Sequence, residues 1–235
     1  MNNVFFTPSW VIPGTYAENL RFLENKTEIK GVELLFFICD NEIKSMLDSE
    51  WEEIISYGRR FAFTAHLPEH LLPDHEELIA RLAPIVRHFI IHPYIQNPEC
   101  QARLLNEWTM KYEAAFLAEN TNPGNLETLL PYLDKYAGTA HPDSGLCMDT
   151  GHLLIEGKNP AIYFSANKNR IREIHLHGIN REQAAIDGRL ADHRSIYGNE
   201  TWLHELRPFL ENFSGVINLE MFSWDEINIS INALQ

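Results

Sequence analysis

Short apolar runs rich in Val, Ile, Phe and Leu recur along this chain at nearly even spacing, at residues 4–11, 32–37, 61–67, 88–92, 113–120, 145–149, 171–178 and 215–222. Each has the length and composition of a buried strand. Between them the apolar positions follow a helical period, as in residues 41–57, 73–87, 124–137 and 200–213. The two kinds of segment alternate throughout, with no linker or low-complexity tract between them. That order predicts a parallel sheet with crossover helices, and eight such units predict one closed (β/α)₈ barrel domain over residues 1–235. An open doubly wound sheet is the alternative. It would normally show a glycine-rich phosphate loop after its first strand, and PSWVIPGTY is not one.

Six successive strand-like runs, from the third to the eighth, share a second property: they finish on a histidine or a carboxylate. FAFTAH ends in His66, FIIH in His92, and AAFLAEN carries Glu119. LCMDTGH carries Asp149 and His152, IREIHLH carries His175 and His177, and VINLE ends in Glu220. Alternate residues of a strand face the same way, so His175 with His177, Cys147 with Asp149, and Asn218 with Glu220 can aim together into a barrel mouth. Singly, each has a plainer reading, because buried histidines usually hydrogen-bond within a core and strand-end carboxylates often cap the next helix. Together they would crowd several anions into one mouth, where they repel unless a cation joins them.

Carboxylates suit Mn²⁺ or Mg²⁺, and a set with several imidazoles also suits Zn²⁺. Glu119, Asp149, His175 and Glu220 would hold one ion, and adding His66, His92, His152 and His193 gives enough ligands for two or three. Such an ion would polarise a carbonyl for proton transfer, or bring the pKa of water down to about 7 for hydrolysis. The expectation is a metalloenzyme acting on a small molecule.

Charge narrows the substrate. With 33 Asp and Glu against 19 Lys and Arg, the formal net charge is −14, and no basic cluster supplies the face that nucleic acid requires. No apolar run approaches the roughly 20 residues needed to cross a bilayer, and MNNVFFTPSWVIPGTY does not read as a secretion signal. Cys39, Cys100 and Cys147 make an odd set of free thiols, which fits a cytoplasmic protein. A homodimer is left open.

The long loop over 178–200 is the natural place for substrate contacts. His177 at its start is a candidate contact, and Arg181 and Arg194 within it would match phosphate oxygens, a surface salt bridge being the alternative for each arginine. Trp10, Tyr94, Phe222 and Trp224 would either wall a bulky substrate or simply pack. His70, His75, His141 and His204 are expected to face solvent, and Glu33 is either a buried support or a substrate contact.

These residues resemble the xylose-isomerase-like barrel superfamily, which includes endonuclease IV (AP endonuclease family 2), sugar isomerases and epimerases, and inosose dehydratases. AENTNPG at 118–124 is similar to the endonuclease IV segment around its fifth-strand glutamate, here Glu119. MDTGH at 148–152 is similar to its Asp-Thr-Cys-His motif, and IHP at 91–93 to its His-Pro-Gly segment. The resemblance implies ligand roles for Asp149, His152 and His92, and for His66, His175 and Glu220 at the other strand ends. In the loop after strand seven, Ala191-Asp192-His193 stands where endonuclease IV has Asp-Arg-His, so His193 keeps its ligand place while Asp192 is displaced by one. Within the superfamily, SWVIPGTY and FTAHLP, with DTGHLLIEG and HLHGI…DHRSIYG, resemble cobamide-remodelling phosphodiesterases.

Two activities follow. The first is a phosphodiesterase of small molecules, implied to be corrinoids, using two ions. The second is a sugar or sugar phosphate isomerase or epimerase with one Mn²⁺ or Mg²⁺, in which Glu119 and Glu220 move protons. Arg181, six residues past His175, stands where such relatives contact substrate. His66 and His92 weigh the other way, because a one-ion site leaves them without a metal to hold. A barrel that has lost catalysis and only binds is the remaining class.

Overall fold

Parallel strand pairing runs unbroken around the molecule and closes on itself, β1 to β8 in sequence order with β8 returning to β1. The computed structural model describes residues 5–180, 182 and 191–235. The strands are β1 (Phe5–Pro8), β2 (Ile29–Leu35), β3 (Ala62–His66), β4 (Val86–Ile91), β5 (Phe116–Glu119), β6 (Gly145–Asp149), β7 (Ile171–His175) and β8 (Val216–Asn218). Around them lie α1 (Tyr16–Leu23), α2 (Asn41–Ser56), α3 (Glu76–Leu82), α4 (Pro98–Tyr112), α5 (Asn125–Asp134), α6 (Thr150–Ile155), α7 (Pro160–Asn167), α8 (Thr201–Leu210) and α9 (Trp224–Leu234). This is the closed (β/α)₈ barrel, and the doubly wound alternative falls because β1 is bonded to both β2 and β8. Among the described residues no helix is long and apolar enough to cross a membrane.

Local chemistry sets the helix starts. Thr15 and Glu18 form a capping box ahead of α1, the Glu18 amide donating to Thr15 Oγ1 at 3.3 Å and the Thr15 amide to Glu18 Oε2 at 2.8 Å. Asp40 caps α2, while Asn97 and Asn159 cap α4 and α7 just ahead of prolines whose missing N–H costs nothing at a first turn. The helix expected over 73–87 is shorter. A 3₁₀ turn covers Pro73–His75, α3 ends at Leu82, and β4 already begins at Val86. Pro84 follows the last turn, with no amide of its own to donate to a fourth-preceding carbonyl.

Outward-facing strand residues and inward-facing helix residues form one continuous apolar layer. Trp108 of α4, 2% exposed, lies against Phe116 with ring centroids 6.3 Å apart, and Phe116 stacks on Phe89 at 5.4 Å. Each such side chain contributes about 1.5–3 kcal/mol by leaving water. The barrel interior differs. Ile90, Leu117 and Cys147 make a small apolar cluster on the β4–β6 side. The buried residues Glu33, Thr64, Glu173 and Asn218 fill the β2, β3, β7 and β8 side.

Candidate metal centre

The polar residues lie at or just beyond the strand ends: Asp149 pairs with His175, while Glu119 pairs with Cys147 and His175 with Asn218, each two residues short of the next polar position, Asp149 and Glu220. Because inward positions alternate, His66, Glu119, Asp149, His175 and Glu220 all point into the mouth, and all are buried. Three overlapping groups of ligand atoms result. His66 Nε2 and His92 Nε2 lie 3.0 and 3.3 Å from Glu119 Oε2. His175 Nδ1 lies 2.9 Å from Glu220 Oε2, 3.8 Å from Glu119 Oε2 and 4.0 Å from Asp149 Oδ2. His177 Nε2 is 3.1 Å from Asp149 Oδ2, while His177 Nδ1 and His152 Nε2 flank the two oxygens of Asp192 at 3.3 and 3.4 Å. Among these groups, the ligand atoms of His66, His92 and Glu119, of Glu119, Asp149 and His175, and of His177, Asp192 and His193 each lie within 4.8 Å of one another.

The DTGH stretch uses each of its residues. Asp149 Oδ1 accepts from the His152 amide at 2.7 Å, capping α6, while its Oδ2 faces the cluster, so capping leaves one oxygen available to a ligand. Thr150 Oγ1 donates to the His177 carbonyl at 2.8 Å and accepts from the His177 amide at 3.0 Å, which ties α6 to the end of β7. A Cβ on Gly151 would stand 2.1 Å from His177 Cε1 and 2.3 Å from Asp192 Oδ1, so glycine is what lets these two approach. His152 then turns back to the cluster. Asn120 clamps the neighbouring strands, donating to the Asp149 carbonyl and accepting its amide, both at 2.9 Å.

The cluster's ionisation shows strong mutual coupling. Burial alone would raise the Glu119 carboxyl, yet His92 and hydrogen bonds from His152, His66 and His92 hold it well below the usual range. Burial opposes protonation of His152 and His177, but Asp149 and neighbouring carboxylates push them up to about 11 and about 9. Asp192 is raised, by burial first and by the charge of Asp149. In the metal-free centre, imidazolium protons therefore offset carboxylate charge that a cation would offset instead.

The donor set fits divalent ions. It combines imidazole nitrogens with carboxylate oxygens, and His175 Nδ1 and Glu220 Oε2 are buried with no hydrogen-bond partner. The more exposed members, His92, His152 and His193 at 21, 25 and 27% side-chain exposure, line a cleft of about 670 Å³ with Phe37, Ile155 and Phe222.

Several sequence-derived placements change. Asp192, read as displaced by one residue, faces both His152 and His177. His193 beside it has φ 54°, a left-handed turn that lets consecutive residues face the same cluster. His177, read as a substrate contact, is fully buried among the carboxylates rather than on the cleft wall. Arg194 lines a neighbouring cavity with Tyr197 and Trp202 and lies 3.6 Å from Glu226, so its side chain is not part of the cleft. Arg181 lies outside the described residues. His75 and His141 are half-buried instead of solvent-facing, each accepting from a nearby backbone amide. Of the aromatics, Phe222 reaches the cleft, while Trp10 packs on Phe37, Trp224 on Phe22 and Tyr94 on His70. His88, buried and paired with Glu173, was missed, although it shares strand parity with His92.

No family model matches the chain, and no curated protein matches it. Solved structures do. A 3-keto-D-glucoside 4-epimerase from E. coli is 14% identical with a TM-score of 0.65, covering 98% of this chain and 96% of its own. A probable 3-DHS dehydratase involved in petrobactin synthesis, from Bacillus anthracis, is 14% identical at a TM-score of 0.67, covering 99% and 97%. A sugar phosphate isomerase/epimerase from Parabacteroides distasonis is 12% identical at 0.58, covering 97% and 92%. The chain thus shares the closed (β/α)₈ barrel fold of these enzymes, over nearly its whole length.

Proposed function

We propose that this chain is a divalent-metal-dependent enzyme of small molecules, and that it hydrolyses a phosphodiester at the barrel mouth. One observation carries the reading: the three ligand groups hold more donors than the roughly four protein ligands that one ion takes. Bound ions would supply Lewis acidity at a phosphoryl oxygen and a lowered pKa for water. Glu119 ties the groups together, its Oε2 facing His66 and His92 and its Oε1 lying 3.2 Å from His152. No Lys or Arg lines the cleft among the described residues. Phe37 and Phe222, ring centroids 6.4 Å apart, offer an apolar wall for a flat part of the substrate. The resemblance of SWVIPGTY and FTAHLP to cobamide-remodelling phosphodiesterases supplies corrinoids as the first substrates to try.

The comparisons lend more support to a second reading, a sugar isomerase or epimerase, for which the sequence resemblance implies one ion. The three structural neighbours named above are an epimerase, a probable dehydratase and an isomerase/epimerase. Glu119 and Glu220 both approach His175, where they could serve as a pair of proton-transfer groups. Metal stoichiometry separates the two, measured on protein purified without chelator together with a His92→Ala variant. Two or more ions per chain, one of them lost in His92→Ala, with turnover of corrinoid phosphodiesters, supports hydrolysis. A single ion indifferent to His92, with turnover of ketoses, supports the isomerase. No ion in either protein overturns both.

A further inference from the structure

His175 is the junction between the mouth and the polar side of the barrel interior. Its Nδ1 faces Glu220 at 2.9 Å, and its Nε2 faces downward, 3.4 Å from Glu33 Oε2 and 3.8 Å from Glu173 Oε1. The ring is fully buried, and neither nitrogen makes a hydrogen bond. The two carboxylates below it are not equivalent. Glu173 is engaged through Oε2 with His88, on the side away from the mouth. Glu33 is held with one oxygen toward His175: Asn218 Nδ2 donates to its Oε1 at 2.8 Å, and Thr64 Oγ1 approaches its Oε2 at 3.4 Å.

An imidazole binds a metal through one nitrogen and carries its proton on the other. Whatever receives that proton fixes the tautomer, the ring orientation and the basicity of the ligand. We propose that Glu33 is the positioning residue of the centre: it receives the His175 Nε2–H and so presents the Nδ1 lone pair to the mouth. This rests on the metal-centre reading above. A cation drawing on Nδ1 makes Nε2–H a stronger donor, and the 3.4 Å contact then shortens toward the roughly 2.9 Å of a formed bond. The role also resolves the two readings that Glu33 had from sequence. It is fully buried under the ring and does not line the cleft.

The test compares Glu33→Gln with Glu173→Gln, using Zn²⁺ as the probe. Affinity is read by chelator competition, and the His175 tautomer by ¹⁵N chemical shifts in the loaded protein. Wild type should show Nε2 protonated and Nδ1 ligated. Glu33→Gln should lose about 10- to 100-fold in affinity for one equivalent and shift the His175 nitrogens, while Glu173→Gln stays within about threefold on the same scale. Should Glu33→Gln fail to fold, Thr64→Val loosens the same carboxylate and should weaken the same equivalent by a smaller factor. Wild-type affinity in Glu33→Gln, or ligation of His175 through Nε2, overturns the role of Glu33 alone. A wild-type protein that takes up no Zn²⁺ overturns the metal-centre reading with it.

Discussion

The two ends of the barrel make opposite kinds of cavity. At the N-terminal ends of β4, β7 and β8 lies a space of about 1030 Å³, lined by Arg87, Lys168, Arg172, Phe209 and Phe213. The mouth cleft is smaller, about 670 Å³, yet His66, His92, Glu119, Asp149, His152, His175, His177, Asp192, His193 and Glu220 gather on or beneath its floor, all but His152 from the C-terminal ends of β3–β8 and the loop after β7. Among the described residues the lower cavity has only His88 and Asp143 of those residue types, its charge being mainly cationic and spread along the rim. Volume therefore does not locate chemistry here. Convergent donors whose ionisation is set by one another do.

The comparison breaks most decisively at Glu119, which faces His66, His92 and His152. Glu119→Gln keeps the shape and removes the charge. Partners outside a ligand set change metal affinity by about 10- to 100-fold, so this change should cost more than about a hundredfold in metal retention and in turnover. Elemental analysis after dialysis checks the first, and either assay proposed above checks the second. Retention of all ions by Glu119→Gln would contradict the assignment of the mouth as a metal centre.

A paired glycine substitution sharpens the contrast. Ala at Gly151 would drive its Cβ into His177 and Asp192, whereas Ala at Gly215, at the lower end, would meet the Arg172 backbone oxygen at 2.2 Å and the Phe213 ring at 2.4 Å. Each overpacks its surroundings by about 1–3 kcal/mol. Only Gly151→Ala should also lower Zn²⁺ affinity, by about tenfold or more, because it moves ligands that partners fix to within fractions of an ångström. Denaturant melts with chelator present give the first quantity, and competition titrations the second.

The pH dependence is a smaller effect, with a definite sign. Asp149 and other carboxylates raise His152 and His177 against the opposing effect of burial, to about 11 and about 9, above the roughly 6.5 of an unfolded histidine. In the metal-free protein these two contribute stability that is complete below about pH 6.5. It is lost as pH rises through about 9 and then about 11. Glu119 and Asp149 act oppositely, since their lowered values give stability above the unfolded carboxylate range that disappears as pH falls through the folded ones. Metal must displace the imidazolium protons, so Zn²⁺ uptake should release protons and tighten from pH 6 toward pH 8, on the order of tenfold per proton displaced and per pH unit. Buffer-dependent heats of binding measure the release directly.

Much of this centre was legible because strand periodicity is rigid. His66, Glu119, Asp149, His175 and Glu220 fall at or just beyond strand ends with the parity that points them inward, and all five are buried. Asp192 was not legible, because its direction depends on a left-handed residue at His193 within a loop, which has no period to read. The depth of His177 was not legible for a related reason. It lies two residues beyond β7, where parity still holds but burial depends on Thr150 and on the clearance at Gly151. The polar side of the interior was half legible: Glu173 shares parity with His175, but nothing in the sequence says that Glu33, far away along the chain, lies under the same ring.

The smallest predicted effect is at the lower cavity. Lys168 is exposed and lies on its rim. Lys168→Ala should change stability by no more than about 0.5 kcal/mol, as surface positions usually do, and should leave ion content and turnover unchanged. A clear fall in turnover with ion content intact would show that the two ends are coupled. The route on the page would be His88, which lines the lower cavity, then Glu173, then His175 Nε2, 3.8 Å from Glu173 Oε1. Glu173→Gln tests that route independently. It removes the charge between the ends without touching the cleft, so an effect shared with Lys168→Ala would place the coupling in the barrel interior.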